Sequence, residues 1–223
     1  MAAHGFAAMV EVAMDDAVAA EVSWWTPARR VAVILPLASA NMFIYLALNW
    51  HPLRPVRELP MTVIDRALPL LPWTVWPYAA LLLADLLLPL TMRRDETFVR
   101  MIRCYGVTVL LNIVGWAALP IAYPRPPVPA GDGISMWGYR TLVGIDTPLN
   151  CFPSGHISIP AVLCWALTTE QPRLRKPVWL GFAVLAPSIL TTKQHYAWDL
   201  VGGLAIAWMG TVVVRRWERL EAA

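Results

Sequence analysis

The chain has 223 residues, of which 58% are apolar and only 15% are charged, and its net charge is +3. Soluble domains carry about 25% charged residues, so this composition excludes an ordinary soluble protein. The small, scattered positive charge also excludes a clustered basic surface, and we expect no nucleic-acid partner. Several apolar runs approach the roughly 20 residues that cross a bilayer, which predicts an all-α polytopic membrane protein with a single helix bundle.

Residues 1–30 are predicted to form a cytoplasmic or interfacial segment. No Lys or Arg precedes Arg29, so the segment lacks the basic start of a signal peptide. The pair Trp24-Trp25 before Arg29-Arg30 is typical of a helix at the membrane interface, with its aromatic rings at headgroup depth. A partly ordered tail is the alternative.

Six membrane helices are predicted for a domain that covers residues 31–214, followed by a basic cytoplasmic tail at 215–223. The six are Val31–Trp50, Trp73–Met92, Phe98–Leu119, Gly155–Thr169, Val178–Thr191 and Ala197–Val214. The fourth and fifth are short, as can happen when helices enclose a polar site. Prolines at 60, 69 and 72 interrupt residues 51–72, which favours an interfacial or re-entrant segment there over a seventh span.

The distribution of basic residues predicts the orientation. With six spans, twelve of the 18 Lys and Arg residues fall on the side that holds both termini. The positive-inside rule then places the termini in the cytoplasm. We expect an integral protein of a bacterial inner membrane, with the third and fifth connections on the outer, periplasmic face.

Three cysteines, Cys104, Cys151 and Cys164, show no metal-ligand spacing. Two of them fall inside apolar runs and the count is odd, so no disulfide is expected. We likewise expect no metal and no cofactor.

Asp85 lies in the middle of an apolar run, where an ionisable group is costly and is usually paired or functional. It could pair with Arg100 or Arg103, or remain protonated in the bundle. A structural role is favoured over a catalytic one, because Asp85 lies far along its span from the motifs described below.

Residues 122–150 are predicted to be a loop between the third and fourth spans. Its Trp137, Tyr139 and Arg140 could cover a substrate headgroup. An aromatic belt at the interface explains the two rings equally well and is preferred for them. The role of Arg140 stays open.

The segment Pro153-Ser154-Gly155-His156 stands where a polar loop gives way to the fourth span. Proline suits a first helical turn, serine suits a cap, and glycine lets an anion approach the backbone. A helix N-terminus also attracts phosphate, and His156 could pass a proton to a leaving oxygen. Taken alone, a capped helix with an incidental histidine explains the segment equally well.

A second histidine motif begins the sixth span. His195 and Asp199 are four residues apart and so share one face of a helix. A carboxylate beside an imidazole fixes its tautomer and stabilises the cation that forms when the ring is phosphorylated. A functional pair is favoured here over a structural ion pair.

These two motifs resemble those of the type 2 phosphatidic acid phosphatase superfamily, and the resemblance covers roughly residues 64–214. The family's second motif, Pro-Ser-Gly-His, is matched in full by Pro153–His156. In the third, Ser-Arg-x5-His-x3-Asp, Ser188, His195 and Asp199 match. The His-Tyr-x-x-Asp form is similar to the branch that includes sphingolipid phosphotransferases.

The chain departs from the family pattern at two cationic positions. Ile189 replaces the arginine of the third motif, and Lys193, one helical turn further on, is predicted to supply the missing charge. In the first motif, Lys-x6-Arg-Pro, Arg125 is present, but Ala118 occupies the lysine position.

The resemblance implies a six-helix bundle and metal-independent phosphoryl transfer from a phosphorylated lipid. In this scheme His195, oriented by Asp199, attacks phosphorus and forms a phosphohistidine, and His156 protonates the leaving group. The residues expected to hold the phosphate oxygens are Arg125, Ser154, Gly155 and Lys193.

Three functions are compatible with the sequence. A lipid phosphatase is favoured because water needs no second pocket. The alternatives are a phosphotransferase that moves a headgroup to a lipid acceptor, and a non-catalytic transporter or scaffold. The presence of His156, His195 and Asp199 together argues against the last.

Overall fold

The structure is a computed structural model that describes residues 24–222. Most of the interfacial segment predicted for residues 1–30 therefore lies outside the described residues. Helices dominate, as the sequence predicted. In chain order they are α1 (Pro27–Trp50), α2 (Val63–Ala67), α3 (Val75–Leu87), α4 (Asp95–Ala118), α5 (Ile134–Ile145), α6 (Gly155–Glu170), α7 (Arg175–Leu185), α8 (Ser188–Thr191) and α9 (Ala197–Glu221).

Four helical segments of the described chain are long and apolar enough to cross a membrane, so the predicted count of six spans is not confirmed. The four are Pro27–Trp50, Pro72–Thr91, Asp95–Ala118 and Ala197–Glu221. The predicted fourth span, α6, has only 16 residues, about 24 Å of helix. The predicted fifth is divided into α7 and the four-residue α8.

Helix α6 is the centre of the bundle and packs against α3, α4 and α9. From Ile157 to Thr168 every residue except Trp165 is buried. A helix that is apolar all round is one that other helices enclose. In contrast, α7 has no buried residue and lies on the outside.

The connection between α1 and α3 contains a two-residue strand and a short helix, and it lies near the end of the bundle that holds the histidines. Strand β1 (Arg57–Glu58) pairs in parallel with β2 (Ile121–Ala122), which follows α4. Helix α2 begins with a capping box in which Thr62 and Asp65 each accept from the other's backbone N–H. This connection is not among the candidate spans of the described chain.

The predicted loop at 122–150 contains the twelve-residue helix α5, which the sequence analysis missed. Trp137 is 61% exposed, whereas Tyr139 is fully buried and so does not belong to an interfacial belt. Arg140 is exposed and donates to the Gly131 carbonyl at 2.7 Å.

The arginines that could have paired with Asp85 bind other carboxylates. Arg100 lies 2.9 Å from Glu218, and Arg103 lies 3.1 Å from Glu221. Both pairs join α4 to the end of α9. Pairing with one of these arginines, the first of the two alternatives left open for Asp85, is therefore not observed, because the C-terminal turns of α9 hold both side chains.

Glycines on α9 allow its N-terminal half to approach α6 closely. A Cβ atom built on Gly203 would lie 2.7 Å from the Ile157 Cβ and 2.8 Å from the Ser154 carbonyl oxygen. Backbone atoms cannot yield easily, so the position accepts only glycine without a shift of one helix.

We therefore expect Gly203→Ala to lower the free energy of unfolding by about 1–3 kcal/mol, the usual cost of overpacking. Gly181→Ala is the matched control, since nothing lies within 4 Å of a Cβ there. Thermal unfolding of both variants in detergent micelles measures the difference. Equal melting temperatures would contradict the close packing of α9 on α6.

Candidate active site

The structure brings the two histidine motifs together at the N-termini of α6 and α9. His156 is the second residue of α6, and His195 stands two residues before α9. The Nδ1 atom of His156 lies 3.1 Å from the Nε2 atom of His195. The two residues are 39 positions apart, so the packing of α6 on α9 produces this contact.

The contacts of His195 determine which of its nitrogens carries the proton. Its Nδ1 lies 3.0 Å from the Asp199 Oδ2 and 3.0 Å from the Cys151 carbonyl oxygen. A carbonyl oxygen can only accept, so Nδ1 must donate. In the neutral ring Nε2 is then the unprotonated nitrogen. The hydrogen bond from Nδ1 of His195 to Asp199, which the sequence predicted, therefore leaves the lone pair of Nε2 directed toward His156.

The same reasoning continues to Tyr78, a residue that the sequence analysis missed. Because Nε2 of His195 accepts, the Nδ1–H of His156 donates to it. The Nε2 of His156 then accepts from the Tyr78 hydroxyl at 2.9 Å. Tyr78 lies on α3 and is fully buried. It stands inside an apolar run with no polar pattern around it, so no local signal could have identified it.

Asp199 is fixed by the backbone as well as by His195. Its Oδ2 also accepts from the Tyr196 N–H at 2.9 Å, which caps α9. The Tyr196 hydroxyl donates to the Ala122 carbonyl at 2.8 Å, beside β2. Position and orientation of the carboxylate therefore depend on both the helix and the small sheet.

Arg125 lies in a shell of acceptors near the histidines. Its guanidinium donates to the carbonyls of Asp146 at 2.5 Å and Thr147 at 3.0 Å, and to the side chain of Gln194, the neighbour of His195. Its buried Nε has no partner among the described residues. Arg125 is thus a cation close to the site with a donor to spare.

Asp146, which lies beside Arg125, is another residue that the sequence analysis missed. It accepts from the Tyr45 hydroxyl at 2.7 Å and from the Asn49 amide at 3.2 Å, and lies 3.8 Å from Arg125. Burial raises its pKa, while the hydrogen bond from Tyr45 and the charge of Arg125 act in the opposite direction.

Ser154 and Gly155 stand at the mouth of α6, as predicted. Ser154 is the N-cap but makes no side-chain cap bond, and its buried Oγ has no partner in the described part of the chain. A free hydroxyl beside His156 suits a phosphate oxygen. The absence of a Cβ at Gly155 has a packing reason, since that atom would lie 3.1 Å from the Trp116 ring.

Lys193 is held in a different direction from the one predicted. Its ammonium donates to the carbonyls of Asp65 at 2.9 Å and Leu68 at 2.7 Å, at the end of α2. Burial lowers the pKa of Lys193, and the charge of Asp65 partly opposes this. Two of its three N–H donors are therefore committed to α2, which favours a supporting role over contact with phosphate.

The arginine position of the third motif is occupied by Ile189 on α8 and therefore holds no cation. Ile189 is fully buried in an apolar cluster with Tyr78 and Ile157. Ala118, at the lysine position of the first motif, is the exposed last residue of α4. Arg125 is thus the predicted cation that the structure does bring to the histidines.

Cys151, His195 and Asp199 have potential metal-ligand atoms within 4.8 Å of one another. The sequence spacing gave no sign of this group, because Cys151 is 44 residues from His195. The Nδ1–H of His195 donates a hydrogen bond to the Asp199 carboxylate and to the Cys151 backbone carbonyl, and the Cys151 thiol donates to the carbonyls of Pro148 and Gln194. Donors in these positions fit a hydrogen-bonded site, and metal-free chemistry stays a prediction.

A cavity of about 230 Å³ lies inside the bundle next to His156, which forms part of its lining. It lies between α1, α3, α4 and α6, and most of its lining is apolar. Tyr45 and Trp116 line it near His156, and Asp85 lines it on α3.

The fold is that of a helical membrane protein with two histidines in contact at the N-termini of two packed helices. A family model described as the PAP2 superfamily matches residues 56–213, and the chain belongs to this superfamily. Its members are phosphatases and phosphotransferases, which supports phosphoester hydrolysis or transfer in general terms. Comparison with curated proteins gave no match.

The two possible roles of Lys193 predict different results for Lys193→Ala. Loss of the ammonium leaves two carbonyls unpaired, so we expect a loss of about 1–3 kcal/mol of stability and only a small fall in catalytic efficiency. Thermal unfolding and kcat/KM are measured on the same preparation. Lys176→Ala, which removes an exposed lysine, is the control. Unchanged stability with a roughly 10²-fold fall in kcat/KM would instead identify Lys193 as a phosphate ligand.

Proposed function

We propose that this protein is a membrane phosphatase that removes a phosphate from a phosphorylated lipid through a phosphohistidine intermediate. The observation that carries the proposal is the tautomer of His195. Its Nδ1–H is fixed by Asp199 and Cys151, and its Nε2 lone pair is directed into the space beside His156.

The first step transfers the phosphoryl group to the protein. His156 first takes the proton of the phosphate monoester monoanion and so enters the step as an imidazolium. Nε2 of His195 then attacks phosphorus, the bond from phosphorus to the lipid oxygen breaks, and His156 protonates that oxygen and becomes neutral again. Asp199 stabilises the imidazolium that His195 becomes. Ser154, the Gly155 backbone and Arg125 are proposed to bind the remaining phosphate oxygens as charge develops on them.

The second step regenerates the protein. His156, now neutral, accepts a proton from water, whose oxygen attacks the phosphohistidine. The phosphorus–nitrogen bond breaks and inorganic phosphate leaves. No other proton carrier is required, because the proton that His156 gave to the alcohol is replaced by the one from water.

Substrate binding must separate the two histidines. A phosphoryl group in line between them requires about 3 Å on each side, roughly 6 Å in all. The present separation is 3.1 Å. The hydrogen bond between the rings is therefore a resting arrangement that the phosphate replaces.

Transfer to a lipid alcohol is the second candidate, and the cavity beside His156 is the observation that favours it. An acceptor chain in this cavity would place its hydroxyl where the phosphatase uses water. An assay of purified protein with phosphorylated lipids, with and without an added lipid alcohol, separates the two. Phosphate release without acceptor supports the phosphatase, product formed only with acceptor supports the transferase, and no turnover contradicts both.

For the orientation we retain the expectation from the basic residues, with the termini in the cytoplasm and the site on the periplasmic face of a bacterial inner membrane. Four helices of spanning length support integration into a membrane. Labelling of a cysteine introduced near Asp132, in intact cells, tests the side.

We expect His195→Ala to abolish turnover, because it removes the nucleophile. His156→Ala should still form phosphoenzyme from a substrate with a good leaving group, such as p-nitrophenyl phosphate, since that group needs no proton. Acid-labile radiolabel on the protein after a quench measures the intermediate. Near-normal rates in His195→Ala would exclude it as the nucleophile.

Activity should also survive chelation. The three potential ligand atoms already take part in hydrogen bonds: His195 Nδ1 donates to Asp199, and the Cys151 thiol donates to the carbonyls of Pro148 and Gln194. Phosphate release is measured before and after dialysis against a chelator, and then after a divalent ion is returned. Loss on chelation followed by recovery with the ion would mean that this group binds a metal and that the scheme above is incomplete.

A further inference from the structure

The cavity beside His156 contains a carboxyl group that the proposed reaction does not use. Asp85 lines the cavity, and its buried Oδ1 has no hydrogen-bond partner among the described residues. Arg100 and Arg103, considered above as its partners, bind Glu218 and Glu221 instead. A polar group buried without a partner costs free energy, more so within a membrane domain. Such a group is a candidate for binding a ligand that brings the missing partner.

The position of Asp85 on α3 sets its distance from the reaction. Tyr78, whose hydroxyl binds His156, is seven residues earlier on the same helix. Seven residues are almost two full turns, so the two side chains share a face and stand about 10 Å apart along the axis. An extended chain advances about 3.3–3.6 Å for every three bonds. About eight or nine bonds therefore cover this distance.

The size and lining of the cavity suit a chain of that length. Its volume of about 230 Å³ equals that of roughly eight groups the size of a water molecule, at about 30 Å³ each. Ala38, Leu82 and Ile159 contribute apolar lining, and Asn41 adds a polar amide.

The cavity also reaches the lateral surface of the bundle. Met42 and Leu86 both line it and are 46% and 37% exposed. They lie on α1 and on α3, which is part of the helical segment Pro72–Thr91, and both α1 and this segment are long enough to span a membrane. An alkyl chain can therefore enter from the lipid phase between these helices.

We propose that this cavity binds an alkyl chain that carries a hydroxyl group about eight bonds from the reacting end, and that Asp85 hydrogen-bonds this hydroxyl. The proposal rests on the proposed function, because it takes the reacting end to be at His156. A hydroxyl both donates and accepts, so it pairs with Asp85 whether the carboxyl is protonated or ionised. The chain belongs either to the phosphorylated substrate or to a lipid alcohol acceptor.

The test compares chains that differ only in the hydroxyl. Purified full-length protein in detergent micelles is given hexadecyl phosphate, 8-hydroxyhexadecyl phosphate or 3-hydroxyhexadecyl phosphate, and kcat/KM is measured for each. We expect the wild type to prefer the 8-hydroxy chain by about tenfold, the usual effect of one hydrogen bond to a buried partner. The 3-hydroxy isomer should gain nothing, because its hydroxyl does not reach Asp85.

Three variants assign the preference to Asp85. Asp85→Leu keeps a similar size without hydrogen bonding and should lose the preference, whereas Asp85→Asn should retain part of it. Asp132→Leu makes the same substitution at an exposed position and should behave like the wild type. A preference that survives in Asp85→Leu overturns the proposal. Equal turnover of all three chains by the wild type, together with no preference for the diol in the acceptor assay, also overturns it and leaves the phosphatase itself intact.

The acceptor is tested separately. With p-nitrophenyl phosphate as donor, transfer to hexadecane-1,8-diol is compared with transfer to hexadecan-1-ol. A preference found only in this arm assigns the chain to the acceptor.

If the purified protein turns over none of these phosphates, ligand binding is measured instead. The melting temperature is then measured with hexadecane-1,8-diol and with hexadecan-1-ol. Stabilisation of the wild type by the diol, but not of Asp85→Leu, would keep the binding site while the proposed function fails. No difference between the two alcohols would overturn both.

Discussion

One proton, on Nδ1 of His195, determines the polarity of the whole site. Two acceptors share it, the Asp199 carboxylate and the Cys151 carbonyl oxygen. Because Nδ1 of His195 donates, its Nε2 accepts from Nδ1 of His156, and Nε2 of His156 accepts from the Tyr78 hydroxyl. Four parts of the fold supply these groups: α9, the segment before α6, α6 itself and α3. Any displacement among them changes which nitrogen is available to phosphorus.

The sequence could predict the parts of the site that are local. The spacing of four residues predicted the contact between His195 and Asp199, which the structure shows although His195 lies just before the first residue of α9. The Pro-Ser-Gly-His segment predicted the start of α6, because proline and serine favour the first turn and the cap of a helix. Tyr78 and Asp146 could not be predicted, because their roles come from contacts with residues 78 and about 100 positions away. Hydrophobic periodicity carries no information about such pairs.

The role predicted for Lys193 rested on a register that the chain does not keep. Ile189 and Lys193 would be one turn apart on a continuous helix, but α8 ends at Thr191 and α9 begins at Ala197. Lys193 has φ near +55°, the left-handed region, which ends the helical repeat. Its side chain is thereby turned to α2. The six predicted spans were not confirmed for a different reason, which is length. Helix α6 has 16 residues, and the predicted fifth span is divided into helices of 11 and 4 residues, so neither has the roughly 20 residues that cross a bilayer.

The small residues of α9 have a mechanical consequence for the site. A Cβ at Gly203 would press on the Ser154 carbonyl, and one at Gly210 would lie 2.3 Å from the Thr108 hydroxyl. Helix α9 is thus packed closely on both α6 and α4, and this packing holds the two histidine motifs together. Sliding of α9 along α6 would break this packing, whereas rotation of the His156 ring would not. The hydrogen bond from Tyr78 on α3 restrains that rotation, so the gap that a phosphate needs depends on a third helix.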